Sequence, residues 1–427
     1  MKRMLLLFFL LAALVGCGST ETVEAPGSEQ EKTGADTWGI TVEEAADSDQ
    51  TVTAAPSSAM ETESVVETSS TSAPTPTPEP AVASLEELCP AGPKVLLDGT
   101  ERTSLLLSDV TLVNAADISE LLSWFQWQEG RENASFTRKN GEQIQISCLM
   151  VEGTDPSVEG YDGTGGICFT GQETEYWLPV RWLAEELGLK LLWDAEQNTV
   201  YLATQVDMDN IPQGVDVPIL MYHAVSDNLW GINSLFVSPE DMRQQLEYLT
   251  ENGYDPIFFS DLPHLEDYDK PILLTFDDGY DDNYEYLFPL LQEFQVKATI
   301  FVITGMLGDE HYMTEEQVRE LSDSGLVDIQ SHTVDHYELA TLSYDEQAYQ
   351  MAQSQLEIAR ITGKIPYVLS YPTGSRDDNT LELAPEYYSF GVDMNGGVWR
   401  IEEDYFKVDR IYVSRFDTLD EYIAMLP

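Results

Sequence analysis

From residue 215 onward, short apolar runs alternate with segments of helical period. The apolar runs are PILMYH (218–223), PILLTFDDG (271–279), KATIFVIT (297–304) and LVDIQSH (326–332), followed by VLSYPTG (368–374), YYSFGVDM (387–394) and DRIYVSR (409–415). Each is of strand length. Between them lie SPEDMRQQLEYLTENG (238–253), YEYLFPLLQEFQ (284–295), TEEQVRELSDSG (314–325) and YDEQAYQMAQSQLEIARITG (344–363), which place apolar residues on one face at helical spacing. Ser238 is a helix-capping residue and Gly253 a stop. Strand and helix repeat at intervals suited to βαβ units, so residues 215–427 are expected to form a parallel α/β barrel or sheet.

Residues 91–206 carry a different pattern, that of a small α+β domain. KVLLDG and SLLLSDVTLV predict strands, and ISELLSWFQW predicts a helix. Asn140-Gly141 before QIQISCLMV predicts a hairpin, because Asn-Gly accommodates positive φ. WLPVRWLAEELGL predicts a helix with Pro179 at its start and Gly188 at its end, and KLLWDAEQNTVYLA predicts a second hairpin. Residues 18–90 are rich in Ser, Thr, Glu, Pro and Ala, with APTPTPEP at 73–80. They hold too few large apolar residues to offset chain entropy and are expected to be a disordered linker. Residues 1–17 combine Lys2 and Arg3 with an apolar stretch too short for an ordinary span. Leu14-Val15-Gly16-Cys17 resembles a bacterial lipobox, which implies export and a lipid anchor at Cys17 facing the cell wall or extracellular space.

Composition narrows the partners. The 427 residues include 21 basic and 76 acidic side chains, a formal charge of −55. Binding to a nucleic acid needs a basic surface, so that class is excluded. Beyond Cys17 the cysteines are Cys89, Cys148 and Cys168, with no zinc-ligand spacing; Cys148 and Cys168 lie in strand-like runs and can pair in an oxidising compartment.

The chemistry concentrates in two motifs. Asp277 and Asp278 end a buried strand, and their mutual repulsion requires a nearby cation. His332 and His336 are four residues apart. On a strand that spacing would separate them by ~13 Å; on a helical turn they would lie ~6 Å apart and can share an ion. Two His and one Asp after strands form an open site of the catalytic-zinc kind.

TFDDGYDDNYEYLFPLLQEFQVKATIFVI, then SGLVDIQSHTVDHYEL, then LSYPTG, resemble the polysaccharide deacetylases of the NodB-homology class (carbohydrate esterase family 4-like). That resemblance implies an irregular (β/α) barrel with its site at the C-terminal strand ends. It implies a metal-dependent deacetylase acting on acetylated cell-surface glycan, with Zn2+ or another divalent transition metal. Asp277 is then the general base; Asp278, His332 and His336 bind the metal; the Tyr371 N–H stabilises the oxyanion. The general acid falls to His223, because Met221-Tyr222-His223-Ala224-Val225 matches a motif that a subset of relatives carries on the first strand. Relatives often place an arginine just before the SYPTG-like segment; here Leu369 and Ser370 stand there, so Arg410 is the candidate partner of Asp277, and Asp409 a candidate support for His223. His264 and His311 match no family position and are expected at the surface. LPVRWLAEELGLKLLWDAEQNTVYL resembles the copper-amine-oxidase N-terminal-like (stalk) domain, which implies a spacer or wall-binding module. A non-catalytic glycan-binding lipoprotein and an O-deacetylase are the alternative readings. The sugar is left open, and Trp124, Trp127, Trp230 and Trp399 are either platforms for it or packing.

Overall fold

The architecture from Asp216 on follows the predicted alternation in a computed structural model that describes residues 89–427 except 124, 129–132, 153–160, 171–173 and 402–403. The signal, anchor and nearly all of the linker expectations lie outside the described residues, as does Trp124 and the side chain of Trp127.

In chain order the main elements are β1 (Ile219–Tyr222), α1 (Pro239–Glu251), β2 (Pro271–Phe276), α2 (Phe288–Phe294), β3 (Ala298–Val302), α3 (Glu315–Asp323) and β4 (Val327–Ser331). They continue with α4 (Tyr344–Thr362), β5 (Val368–Ser370), α5 (Asp378–Tyr387), β6 (Phe390–Val392), β7 (Ile411–Tyr412) and α6 (Leu419–Met425). The strands pair in the order β6-β5-β4-β3-β2-β1-β7, and every pairing is parallel. This is the expected irregular barrel, curled but not closed by a continuous ladder. Residues 405–410 run between the two edges, and Val392 bridges Val408.

The helices bury the face that the sequence marks. In α1, Met242, Gln245, Leu246 and Leu249 are buried, and the Ser238 hydroxyl accepts the Asp241 N–H, a cap worth about 1 kcal/mol. Met242, Leu246 and Leu249 join Leu220, Tyr222, Leu274, Phe276 and Ile300 in one core between the helices and the sheet, and Gln245 accepts the Tyr222 hydroxyl. Strand alternation then sends the next residues the other way: Tyr222 stacks on Phe276 in that core, while His223 and Asp277 belong to the inside of the curl.

Residues 94–203 pair among themselves. Lys190–Asp194, Thr199–Ala203, Lys94–Leu97 and Thr100–Arg102 form one sheet, and seven further strands a second. Both predicted hairpins form, and the helix Val180–Leu187 ends at Gly188 with φ 65°. The other expected helix is shorter than the sequence implied. It ends at Leu121, and Gln126–Gln128 is a strand paired with Asn133–Thr137, so Trp127 sits on a strand. Cys148 and Cys168 occupy neighbouring strands, offset by two positions in register, and among the described residues no disulfide forms. No helix among the described residues is long and apolar enough to cross a membrane.

Candidate active site

The strand ends of the curl bring together most of the residues singled out in the sequence. Asp277 follows β2, and its N–H donates to Tyr222 O at 3.0 Å, which levels it with the end of β1. Asp278 (φ 76°) and Gly279 (φ 76°) then turn the chain back. This double left-handed turn lets both carboxylates face one space, where an extended strand would point them apart. A side chain at Gly279 would meet Val302 at 3.0 Å.

His332 and His336 sit on a bend after β4, not on the helical turn that their spacing suggested. Thr333 (φ 67°) and His336 (φ 56°) are left-handed, and the two rings come to 4.7 Å between centroids. The bend is held from α4: Gln350 accepts the N–H groups of Val334 and Asp335 at 3.0 Å each and donates to the Asp335 carboxylate.

Asp278, His332 and His336 each offer one ligand atom, and these atoms lie within 4.8 Å of one another. Asp278 Oδ1 is 3.4 Å from His332 Nε2 and 3.6 Å from His336 Nε2. His332 Nδ1 is 2.8 Å from Ser370 O. With the proton on Nδ1, Nε2 keeps its lone pair toward the carboxylate. The donor set therefore fits a divalent cation: two imidazoles and a carboxylate, one imidazole already oriented from behind.

Arg410 lies where the sequence placed it. It begins one residue before β7, and its side chain reaches Asp277 with Nη1–Oδ1 and Nη2–Oδ2 both at 2.7 Å. It also donates to Asp393 O, Thr275 Oγ1 and Ser370 Oγ, and it lies over the Phe301 ring. The pair is buried, with Arg410 0% and Asp277 3% exposed. Burial pushes the Asp277 carboxyl up, but the guanidinium and the imidazoles of His332 and His223 outweigh it and hold it below the usual range. Burial likewise opposes ionisation of Asp278, yet His332, His223 and the Tyr280 hydroxyl keep it well below that range. Burial lowers His223, against the pull of Asp277 and Asp278. Burial lowers His332 most, but Asp278, the charge of Asp277 and the Ser370 carbonyl together outweigh it and raise it; His336 is lowered by burial and by His332.

Two expectations fail. The Tyr371 N–H donates to Val392 O at 3.2 Å as part of the β5–β6 pairing, so it is spoken for as an oxyanion donor. The Tyr371 side chain is core, packed over Gly391 with its hydroxyl donating to Phe406 O. Asp409 stands with Asp393 and Arg376 rather than with His223, whose buried Nδ1 has no hydrogen-bond partner among the described residues. His311 stacks on Trp230 at 4.2 Å, and Trp230 meets Tyr280 edge-on at 4.7 Å; His264 is exposed and Trp399 is buried packing.

Sequence reasoning missed four contributors. Tyr280 hydrogen-bonds Asp278; Ser370 contacts Asp277, Arg410 and His332. Asn283 donates to His223 O at 2.9 Å, and Asp282 accepts the Val225 N–H at 3.0 Å, so this pair secures the His223 segment from behind. The DDGYDDN run contained three of them, but nothing local distinguished them from a polar loop.

The model of the polysaccharide deacetylase family matches residues 265–388. YxkH of Bacillus subtilis (strain 168), itself a candidate polysaccharide deacetylase, is 34% identical over 204 residues, covering 46% of this chain and 71% of that protein. The poly-beta-1,6-N-acetyl-D-glucosamine N-deacetylase of Escherichia coli (strain K12) is 32% identical over 134 residues, 27% of this chain but only 20% of that protein. Among solved structures, Streptococcus pyogenes deacetylase PplD in complex with acetate matches at 27% identity, over 50% of this chain and 100% of that one, with a TM-score of 0.47. With the match to YxkH spanning 71% of that protein and the family model falling on the strands that carry Asp277, Asp278, His332 and His336, the chain belongs to the polysaccharide deacetylase family of hydrolases.

Proposed function

We propose that this chain removes N-acetyl groups from an N-acetylglucosamine-containing polysaccharide of the cell surface, with Zn2+ or another divalent transition metal held by Asp278, His332 and His336. The observation that carries this reading is the buried Asp277–Arg410 fork set directly against that triad. A carboxylate ionised by a fixed guanidinium, beside a cation site and a histidine, suits hydrolysis of a poor electrophile.

When bound, a divalent cation acidifies water and draws charge from the acetyl carbonyl. Asp277 takes the proton of the attacking water at one of its carboxylate oxygens. Arg410 prevents that carboxylate from rotating away and keeps it charged until then. His223 donates a proton to the departing nitrogen, because an amide does not expel an anionic amine; such assistance contributes roughly 10²–10⁴ in rate. Ser370 orients both the fork and His332.

The substrate class draws support from the Escherichia coli relative named for poly-beta-1,6-N-acetyl-D-glucosamine, although the chain spans only a fifth of it. Peptidoglycan offers the same amide. The LVGC segment supports export and lipid anchoring at Cys17. Residues 91–206 are read as a spacer or wall-binding module carried with the barrel.

Acetate release tests the proposal. The full chain, supplied with zinc, is incubated with N-acetylglucosamine oligomers and with purified peptidoglycan, beside Asp277→Asn and His223→Ala. Release by the wild type that collapses in both variants is expected. Release that persists in both variants refutes the assigned roles, and absence of release from metal-loaded protein on both polymers favours a glycan-binding module or an O-deacetylase.

A further inference from the structure

Beside the cation triad lies a second feature that the reaction as described does not use. Tyr337, the residue after His336, and Tyr349, on the outer face of α4, are 54% and 57% exposed. With Leu342, Asp345, Glu346 and Gln350 they line an open depression of about 310 Å³. That is the lower end of the roughly 300–1,000 Å³ typical of small-molecule sites, room for a sugar residue rather than an oligosaccharide. Its floor is tied to the cation site, because Gln350 holds the 334–335 backbone of the bend that carries His332 and His336.

The lining has a definite chemistry. Two tyrosine rings left in water present faces of negative potential, which attract cations as well as the C–H face of a sugar. Two carboxylates flank them. Glu346 is fixed by the Ser343 N–H and hydroxyl, which bond to its Oε2 at 2.8 and 2.6 Å and hold it ionised, below its ordinary range. No lysine or arginine lines the depression. A neutral N-acetylated sugar can only hydrogen-bond to these carboxylates and stack on the rings, whereas a sugar with a free amine is cationic and adds charge attraction to both features. Removal of an acetyl group creates that amine.

We propose that the Tyr337–Tyr349 depression is a subsite for a glucosamine residue, the de-N-acetylated unit of the same glycan, bound while a neighbouring N-acetylated unit occupies the cation site. This rests on the deacetylase reading and extends it: the substrate it fits best is a partly deacetylated polymer, and the enzyme holds its own product next to the site of the following reaction.

Glucosamine oligomers carry no acetyl group, so their binding is read without turnover. Calorimetric titration of the metal-loaded full chain at mildly acidic pH compares a glucosamine tetramer with the N-acetylglucosamine tetramer, in low and high salt. The variants are Tyr349→Ala and Asp345→Asn, both surface changes. The expected result is preference for the glucosamine tetramer, weakened by salt and reduced about tenfold in each variant. In parallel, the ratio of kcat/KM on partly to fully acetylated oligomers falls in the variants. Equal affinity for the two tetramers, or variants that bind glucosamine as the wild type does, overturns the subsite. Acetate release without glucosamine preference refutes the subsite and leaves the deacetylase reading standing; glucosamine preference without acetate release does the reverse.

Discussion

Among the described residues, two of the buried arginine–aspartate pairs look alike in isolation. Arg410 grips Asp277 through both terminal nitrogens; Arg360 grips Asp194 through Nε and Nη2 at 2.6 and 2.9 Å. Their surroundings differ. Asp194 also accepts the N–H groups of Glu196 and Gln197 within its own hairpin turn, and Arg360 spreads onto Glu196 and Glu357. The Asp194 carboxylate thus accepts four hydrogen bonds, and the pair joins the sheet of residues 94–203 to α4. Asp277 has no such turn; its side-chain donors are Arg410 and Ser370, and it faces His223, Asp278 and His332. The same ionic contact is structural where backbone donors complete it and chemically available where they do not. Three non-glycine residues with positive φ, at Asp278, Thr333 and His336, surround the available one. Each costs roughly 1 kcal/mol, and the arrangement they permit is the candidate cation site.

The largest expected effects are on turnover. Asp277→Asn and His223→Ala each lower acetate release by about 10²–10⁴, while Asp194→Asn leaves turnover per folded molecule unchanged. Comparable losses in Asp194→Asn, measured on protein shown to be folded by circular dichroism, would erase the distinction between the pairs.

Next come the arginines. Arg410→Met and Arg360→Met both strand a buried carboxylate, and denaturant titration is expected to show losses of about 3–5 kcal/mol, with Arg360 at the lower end because it is 15% exposed. Only Arg410→Met also reduces kcat of the folded fraction. A reduction of kcat by Arg360→Met would mean that the sheet of residues 94–203 supports catalysis through α4.

How far the sequence announced this difference can be judged residue by residue. Short apolar runs placed the strands of the barrel and helical patterning its helices, because the burial of each element is a local property of its sequence. Asp277, Asp278, His332 and His336 were legible because the turns that aim them follow directly from their strands. Arg410 was reachable only by requiring a cation for Asp277, since 133 positions separate the two. The Tyr371 N–H was misassigned because its capture by Val392 O depends on β5–β6 pairing, which no local pattern encodes. The bend at His332 was read as helical because a spacing of four does not distinguish a helix from two left-handed residues. Ser370 and Asn283 escaped because their partners come from other strands, and Tyr280 because its bond to Asp278 depends on the turn between them.

A smaller effect is predicted behind the site. Burial, with like charge from Asp281 and Glu285, raises the Asp282 carboxyl from 3.8 to about 6. The folded state then holds this proton more tightly than the unfolded chain, so stability is present at low pH and is lost as pH rises from about 4 to about 6. Roughly two pKa units correspond to about 3 kcal/mol. Asp282→Asn abolishes that slope, so its stability advantage over the wild type grows across the window. A constant difference between the two at every pH would contradict the assignment.

The smallest effect concerns Tyr280, whose hydroxyl holds Asp278. Tyr280→Phe is expected to weaken zinc affinity by about 10–100-fold, measured by competition with a chromogenic chelator, with little change in thermal stability of the metal-free protein. Unchanged affinity would make the Tyr280 contact incidental.

The most direct test of the central claim is a metal titration. The full chain is stripped with chelator, and zinc is returned while bound metal and acetate release are followed together. The account predicts that release is absent at the start, rises in proportion to bound zinc and saturates at one ion per chain, and that His336→Ala neither binds tightly nor recovers activity. Full release by the stripped protein, or stoichiometric zinc binding by His336→Ala, would contradict it.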